Sequence, residues 1–147
     1  MTETSHAHAR RRKEEAALDI DAQHLPEDAG VHSDGLRAIL ERIPTGWGRW
    51  IGVSAGWYRL VVTLNQELAE IDPWYEIYQV KEKFGTLRYY CSSSDERSRR
   101  LIRTAEMESA TICETCGEFG RLGRSAGRVT AACSAHGGVD FVAMATG

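Results

Sequence analysis

The sequence predicts an α+β chain: a helix–β-hairpin–helix core followed by a small zinc-ribbon or treble-clef-like module. Three observations carry this. Apolar residues recur at helical spacing between Trp57 and Ile71. An aromatic and β-branched run from Trp74 to Cys91 breaks at a glycine. The last third of the chain then pairs a C-x-x-C with a C-x-x-H.

The 147 residues, 42% of them hydrophobic, suit one domain or one domain with a small metal module. The expected division is a flexible tail over 1–30, an α+β core over 31–110 and a zinc-binding module over 111–147 packed on that core. No apolar run approaches the roughly 18–20 residues of a membrane helix, and no apolar segment follows the charged start of the chain. A cytoplasmic protein without membrane contact is therefore expected. Net charge is −3, but it is unevenly spread. Residues 14–76 hold twelve acids against four arginines, whereas residues 81–128 hold ten Lys/Arg against seven acids. The second half is mildly basic, well short of the stripe expected of a dedicated DNA binder.

Residues 1–30 mix small, charged and polar side chains and offer little apolar surface to offset ordering. Arg10–Lys13 and the His6-x-His8 pair fall in this tail. The spacing of Leu36, Ile39, Leu40 and Ile43 predicts a short helix opened by Ser33 or Asp34 and stopped by Pro44. Next comes TGWGRWIGVSAGW, whose glycine spacing departs from a dinucleotide-binding loop. Two readings of it stand: Trp47, Trp50 and Trp57 roof the core, or Trp47 and Trp50 offer an aromatic surface to a partner.

Ser54 caps the clearest helix, about Ala55 to Ile71, with Trp57, Leu60, Val61, Leu64, Leu68 and Ile71 on one face. Asp72-Pro73 ends it. Strands are expected over about Tyr75–Lys81 and Leu87–Cys91, joined by Lys83-Phe84-Gly85-Thr86. Ser93 and Glu96 match a capping box for a helix of about Ser94–Ser109, with Leu101, Ile102, Ala105 and Met107 inward. Arg97, Arg99, Arg100 and Arg103 crowd its first half. There they oppose the helix macrodipole, and they read either as a hydrated face or as a grip on nucleic acid or an acidic protein.

The segment Thr111–Gly137 carries the strongest chemical signal. Cys113 and Cys116 form one tight turn's pair. Cys133 and His136 form another after a sixteen-residue gap. Two such turns supply the four ligands of a tetrahedral Zn²⁺, and Gly117 suits a knuckle that bends with φ > 0. Two disulfides are the alternative use of four cysteines. Ligand spacing with a histidine favours zinc, and Cys91, standing alone, reads as a small buried hydrophobe. Three thiolates and one imidazole leave no position open for water, and no His-x-Glu precedes Cys113 as in zinc deaminases, so the zinc is expected to be structural. A short hairpin carrying Arg121, Arg124 and Arg128 is expected between the knuckles, and Val139–Met144 as a last strand or a helical turn.

Gly56-Trp57 opening a helix, the strand motif Gln79–Tyr90 (QVKEKFGTLRYY) and the terminal C-x-x-C-G with its C-x-x-H partner together resemble a group of small bacterial and phage-encoded proteins. The likeness covers about residues 54–137 and implies no activity of its own. The expected function is a zinc-stabilised, non-catalytic adaptor or inhibitor that binds another macromolecule, a protein first, in phage–host conflict or toxin neutralisation. One alternative is a nucleic-acid binder using Arg97, Arg99, Arg100 and Arg103 with Arg121, Arg124 and Arg128. Another is an enzyme with a pocket near Lys81–Arg88.

Overall fold

Residues 19–144 are described in a computed structural model of the chain. The His6-x-His8 pair, the Arg10–Lys13 run and most of the expected tail lie outside the described residues. The rest of that tail is not loose. Leu25 packs on the core and Ala29 is buried in it, the Tyr58 hydroxyl donates to Asp28 Oδ1 at 2.6 Å, and His24 N–H donates to Arg49 O at 2.8 Å. Ordering here comes from neighbours distant in sequence, which local composition does not register.

Helix α1 (Ser33–Glu41) follows a 3₁₀ turn at Gly30–His32. Leu36, Ile39 and Leu40 are fully enclosed, each contributing about 1.5–3 kcal/mol by burial. Ser33 is the first helical residue and not the cap; its hydroxyl donates to Gly30 O at 2.8 Å. A second 3₁₀ turn, Ala55–Trp57, leads into helix α2 (Tyr58–Ile71), which buries Val61, Leu64 and Leu68. Strands β1 (Ile77–Lys83) and β2 (Thr86–Cys91) form an antiparallel hairpin, with Val80 opposite Tyr89 and Lys83 opposite Thr86. Its connection is tighter than the sequence predicts: only Phe84 (φ 52°) and Gly85 (φ 79°) lie between the strands. Both are left-handed, the geometry of a two-residue type I′ turn.

Helix α3 (Glu96–Ser109) starts two residues later than expected. Its cap is Asp95, whose carboxylate accepts Ser98 N–H at 2.9 Å, so the Ser93–Glu96 capping box does not form. Burial centres on Ser98, Ala105 and Ser109, with Leu101 and Ile102 partly covered, while Met107 is 75% exposed. Met107 lies about 200° round the helix from Ala105, on the solvent side. Helix α3 also guards the hairpin's free edge: the N–H of Leu87 donates to Ser109 Oγ at 2.8 Å and that of Tyr89 to Glu106 Oε2 at 3.2 Å. Without these partners the edge of β2 would offer unpaired donors to another chain.

The core holds a buried polar cluster. Tyr75 OH donates to Asn65 Oδ1 and lies 2.7 Å from Tyr89 OH, while the Arg42 guanidinium sits 4.6 Å over the Tyr75 ring. Burial pushes both phenols above their ordinary range.

The last third forms a second sheet, ordered β4-β3-β5, from β3 (Arg121–Ser125), β4 (Arg128–Ala132) and β5 (Val142–Ala143). Leu122 and Ala131 face each other across it and join the main core. Among the described residues no helix is long and apolar enough to cross a membrane.

Candidate metal centre

The first knuckle grows from the end of α3. Cys113 N–H donates to Glu118 O at 2.8 Å, and Gly117 N–H returns to Cys113 O at 2.8 Å. This curl requires the φ of +85° that Gly117 adopts without a side-chain clash. The second knuckle follows β4, where His136 and Gly137 N–H both donate to Cys133 O, at 3.2 and 3.0 Å. The sheet pairing of β3 and β4 folds the sixteen-residue gap back on itself and brings the knuckles together.

The four candidate ligand atoms lie within 4.8 Å of one another, a group that could hold a metal ion. Cys113 Sγ is 3.7 Å from His136 Nδ1, Cys116 Sγ is 3.7 Å from Cys133 Sγ, and Cys133 Sγ is 3.1 Å from His136 Nδ1. Sulfur and nitrogen ligands about 2.3 and 2.0–2.1 Å from a tetrahedral ion stand about 3.5–3.8 Å apart, so two of these separations match such edges and one is drawn in. All four cysteines are free, so the disulfide alternative does not arise. Burial raises the Cys113 thiol, but backbone hydrogen bonds from Cys133, Cys116 and Thr115 outweigh it and bring the thiol down to about 6. At Cys116 the Glu118 backbone favours the thiolate, yet partial desolvation and the adjoining Cys113 and Cys133 sulfurs prevail and raise it. Crowded sulfurs that resist joint ionisation are the donor set a divalent cation relieves. Cys91 stands apart from this group, half-buried, its thiol raised by burial.

The loop that carries Cys113 and Cys116 is bolted to the core through Ser54, Gly56 and Trp57. Ser54 does not cap the helix as its sequence position suggests, since its side chain makes no capping hydrogen bond and the α-helix begins only at Tyr58. Gly56 N–H donates to Glu114 O at 2.7 Å, Trp57 Nε1–H to Ile112 O at 2.8 Å, and Ser54 N–H to Glu114 Oε2 at 3.1 Å. A Cβ on Gly56 would overlap the carbonyl oxygen of Cys113. A Cβ on Gly85 would come within 2.6 Å of Leu122 Cδ2, and Glu82 Oε1 accepts Gly85 N–H at 2.7 Å to hold that turn. Gly56-Trp57 thus meets the C-x-x-C-G loop, and the Glu82–Gly85 turn meets the second sheet at Leu122 and Thr130. The signal in the sequence was a close-approach glycine at each place.

The other predicted surfaces are dispersed. Arg97, Arg99, Arg100 and Arg103 are all exposed on α3. Arg99, Arg100 and Arg103 share an arc of about 100° and Arg97 stands to one side. Arg100 reaches Glu96 at 3.3 Å. Arg121 and Arg128 lie on one face of the second sheet and Arg124 on the other, because β3 and β4 alternate in register. The seven arginines therefore do not form one continuous face. Trp57 is buried, as the roof reading requires, but Trp47 and Trp50 are 57% and 47% exposed. Trp47 packs 4.9 Å from the Tyr78 ring, and Trp50 lies 6.0 Å from His24. Beside the first knuckle a cleft of about 550 Å³ is walled by Arg59, Glu108, Cys116 and Glu118. Comparison with protein-family models, curated proteins and solved structures finds no match to this chain.

Proposed function

We propose that this chain is a non-catalytic macromolecule-binding protein whose C-terminal module is held on an α+β core by a structural zinc ion. The observation that carries the reading is the closed donor set. Cys113, Cys116 and Cys133 through Sγ and His136 through Nδ1 would occupy all four positions of tetrahedral Zn²⁺, whereas a catalytic zinc keeps one for water or substrate. Thiolates favour zinc over the oxygen-seeking Mg²⁺ and Ca²⁺. The hydrogen bonds from Ser54, Gly56 and Trp57 then pass the rigidity of the ion to the core.

The test is chelator titration followed by backbone hydrogen exchange. Removal of zinc should strip protection from Thr111 onward while α1, α2 and the first hairpin retain most of theirs, because metal binding and folding of the module are coupled. Unchanged exchange after complete metal removal contradicts the reading.

An adaptor or inhibitor that works by contact needs a rigid frame and an exposed surface, and no reactive centre. The likeness to small bacterial and phage-encoded proteins adds a setting of phage–host conflict or toxin neutralisation. A protein partner is one reading, on the exposed Trp47 and Trp50. Nucleic acid is the second, and the outward face of the first hairpin favours it.

A further inference from the structure

The first hairpin has two unlike faces. Ile77, Val80, Leu87 and Tyr89 are buried against the helices. Strand alternation and the observed register turn Gln79, Lys81 and Lys83 of β1, with Thr86, Arg88 and Tyr90 of β2, to the opposite side. That side carries three cations and no carboxylate. Glu82, the one acid in this stretch, faces away and holds the Gly85 N–H. Among the described residues no carboxylate lies within ion-pair distance of Lys81, Lys83 or Arg88.

Aromatic rings are interleaved with these cations. Lys81 Nζ lies 5.9 Å over the Tyr90 ring and Lys83 Nζ 5.7 Å over the Phe84 ring. Phe84 is 69% exposed and holds a left-handed backbone, φ 52°, in a turn where Asn or Gly would be at ease. A strained, water-facing aromatic at a hairpin tip is a burden on folding, and such strain marks functional positions.

We infer that this face binds single-stranded nucleic acid, with Phe84 and Tyr90 stacking on bases and Lys81, Lys83 and Arg88 meeting phosphates. The inference rests on the reading of the chain as a binding protein and names its partner class. Charge complementarity selects a polyanion, and flat rings among the cations select one that presents bases. Outward residues two apart on a strand are about 6.7 Å apart. That is twice the rise of about 3.4 Å per nucleotide in a duplex strand, so the platform suits an extended strand.

The test is fluorescence anisotropy of labelled eight-nucleotide single-stranded DNA and RNA with the metal-loaded full chain, across a salt series. Saturable binding is expected, with log K falling against log salt at a slope near −2, about 0.7 for each of three phosphates. The triple variant Lys81→Gln/Lys83→Gln/Arg88→Gln should weaken binding at least tenfold. Phe84→Asn, which relieves the turn, and Tyr90→Ala should each weaken it at least fivefold while circular dichroism stays unchanged. The variant Arg97→Gln/Arg99→Gln/Arg100→Gln/Arg103→Gln should bind as the parent does. The inference is overturned by no binding at low salt, by a preference for duplex of the same sequence, or by competition from polyglutamate with no effect of Phe84→Asn. Loss of binding in the α3 variant alone would also overturn it. None of those results touches the metal-held frame, which fails separately if the purified chain carries no stoichiometric zinc.

Discussion

Gly56→Ala should separate the metal module from the core without touching a metal ligand. The added Cβ would overlap Cys113 O and stand 2.5 Å from Glu114 O and 2.6 Å from the Glu114 carbonyl carbon. All are backbone atoms, so no side chain can swing away, and the loop and the start of α2 must part. Three hydrogen bonds cross that seam, at 2.7, 2.8 and 3.1 Å. At about 1 kcal/mol each, and more for the buried Trp57 N–H left unpaired, the cost is about 3–5 kcal/mol. Urea unfolding of the metal-loaded chain reads this as a midpoint lowered by about 2 M for a slope near 2 kcal/mol/M. Gly127→Ala is the control. Unlike Gly56 it has a positive φ, 78°, but nothing lies within 4 Å of its Cβ, so only the backbone cost of about 1 kcal/mol applies. If Gly56→Ala is no worse than Gly127→Ala, the junction does not join module to core as described.

Phe84→Asn should raise stability by about 1 kcal/mol, since Asn-Gly is the preferred type I′ pair; a lower thermal midpoint would show that the Phe84 ring supports the fold. Ser109→Ala removes the acceptor that the Leu87 N–H meets at 2.8 Å. It should cost about 1–3 kcal/mol in urea unfolding, and a neutral result would remove α3 from the role of guarding β2. Burial holds the Tyr75 and Tyr89 phenols above the ordinary value of 10.0. The folded state therefore keeps protons that the unfolded chain gives up. Their stabilisation is whole below pH 10 and is lost above it, by up to about 1.4 kcal/mol per pH unit for each phenol. Stability measured from pH 8 to 12 should fall in that range, and Tyr75→Phe/Tyr89→Phe should flatten the fall.

The helices and the knuckles were legible in the sequence because each is written in local spacing. The stripe from Trp57 to Leu68 and the paired Cys-x-x-Cys and Cys-x-x-His turns need no knowledge of the rest of the chain. What escaped was either a close local choice or a partner far away. Asp95 caps α3 in place of Ser93, a choice between residues two apart with similar capping chemistry. Phe84 in a left-handed turn contradicts its own preference, so the hairpin is two residues tighter at its tip than propensity suggests. Trp47 and Trp50 carry the same pattern signal whether they face in or out; only packing against Tyr78 and His24 decides. Residues 19–30 read as a tail because their contacts, such as Tyr58 with Asp28, lie some thirty positions away. Gly56 and Gly85 were visible as glycines, but the atoms that forbid a side chain there belong to Cys113, Glu114 and Leu122.

X-ray absorption at the zinc edge of the purified full chain tests the account most directly. It should find one zinc per chain, with three sulfurs near 2.3 Å and one nitrogen near 2.0–2.1 Å, and no coordinated water. Replacing His136 with alanine should take away the nitrogen shell alone or release the ion. A parent spectrum of oxygen and nitrogen ligands without sulfur, or a preparation with no bound zinc, would contradict it.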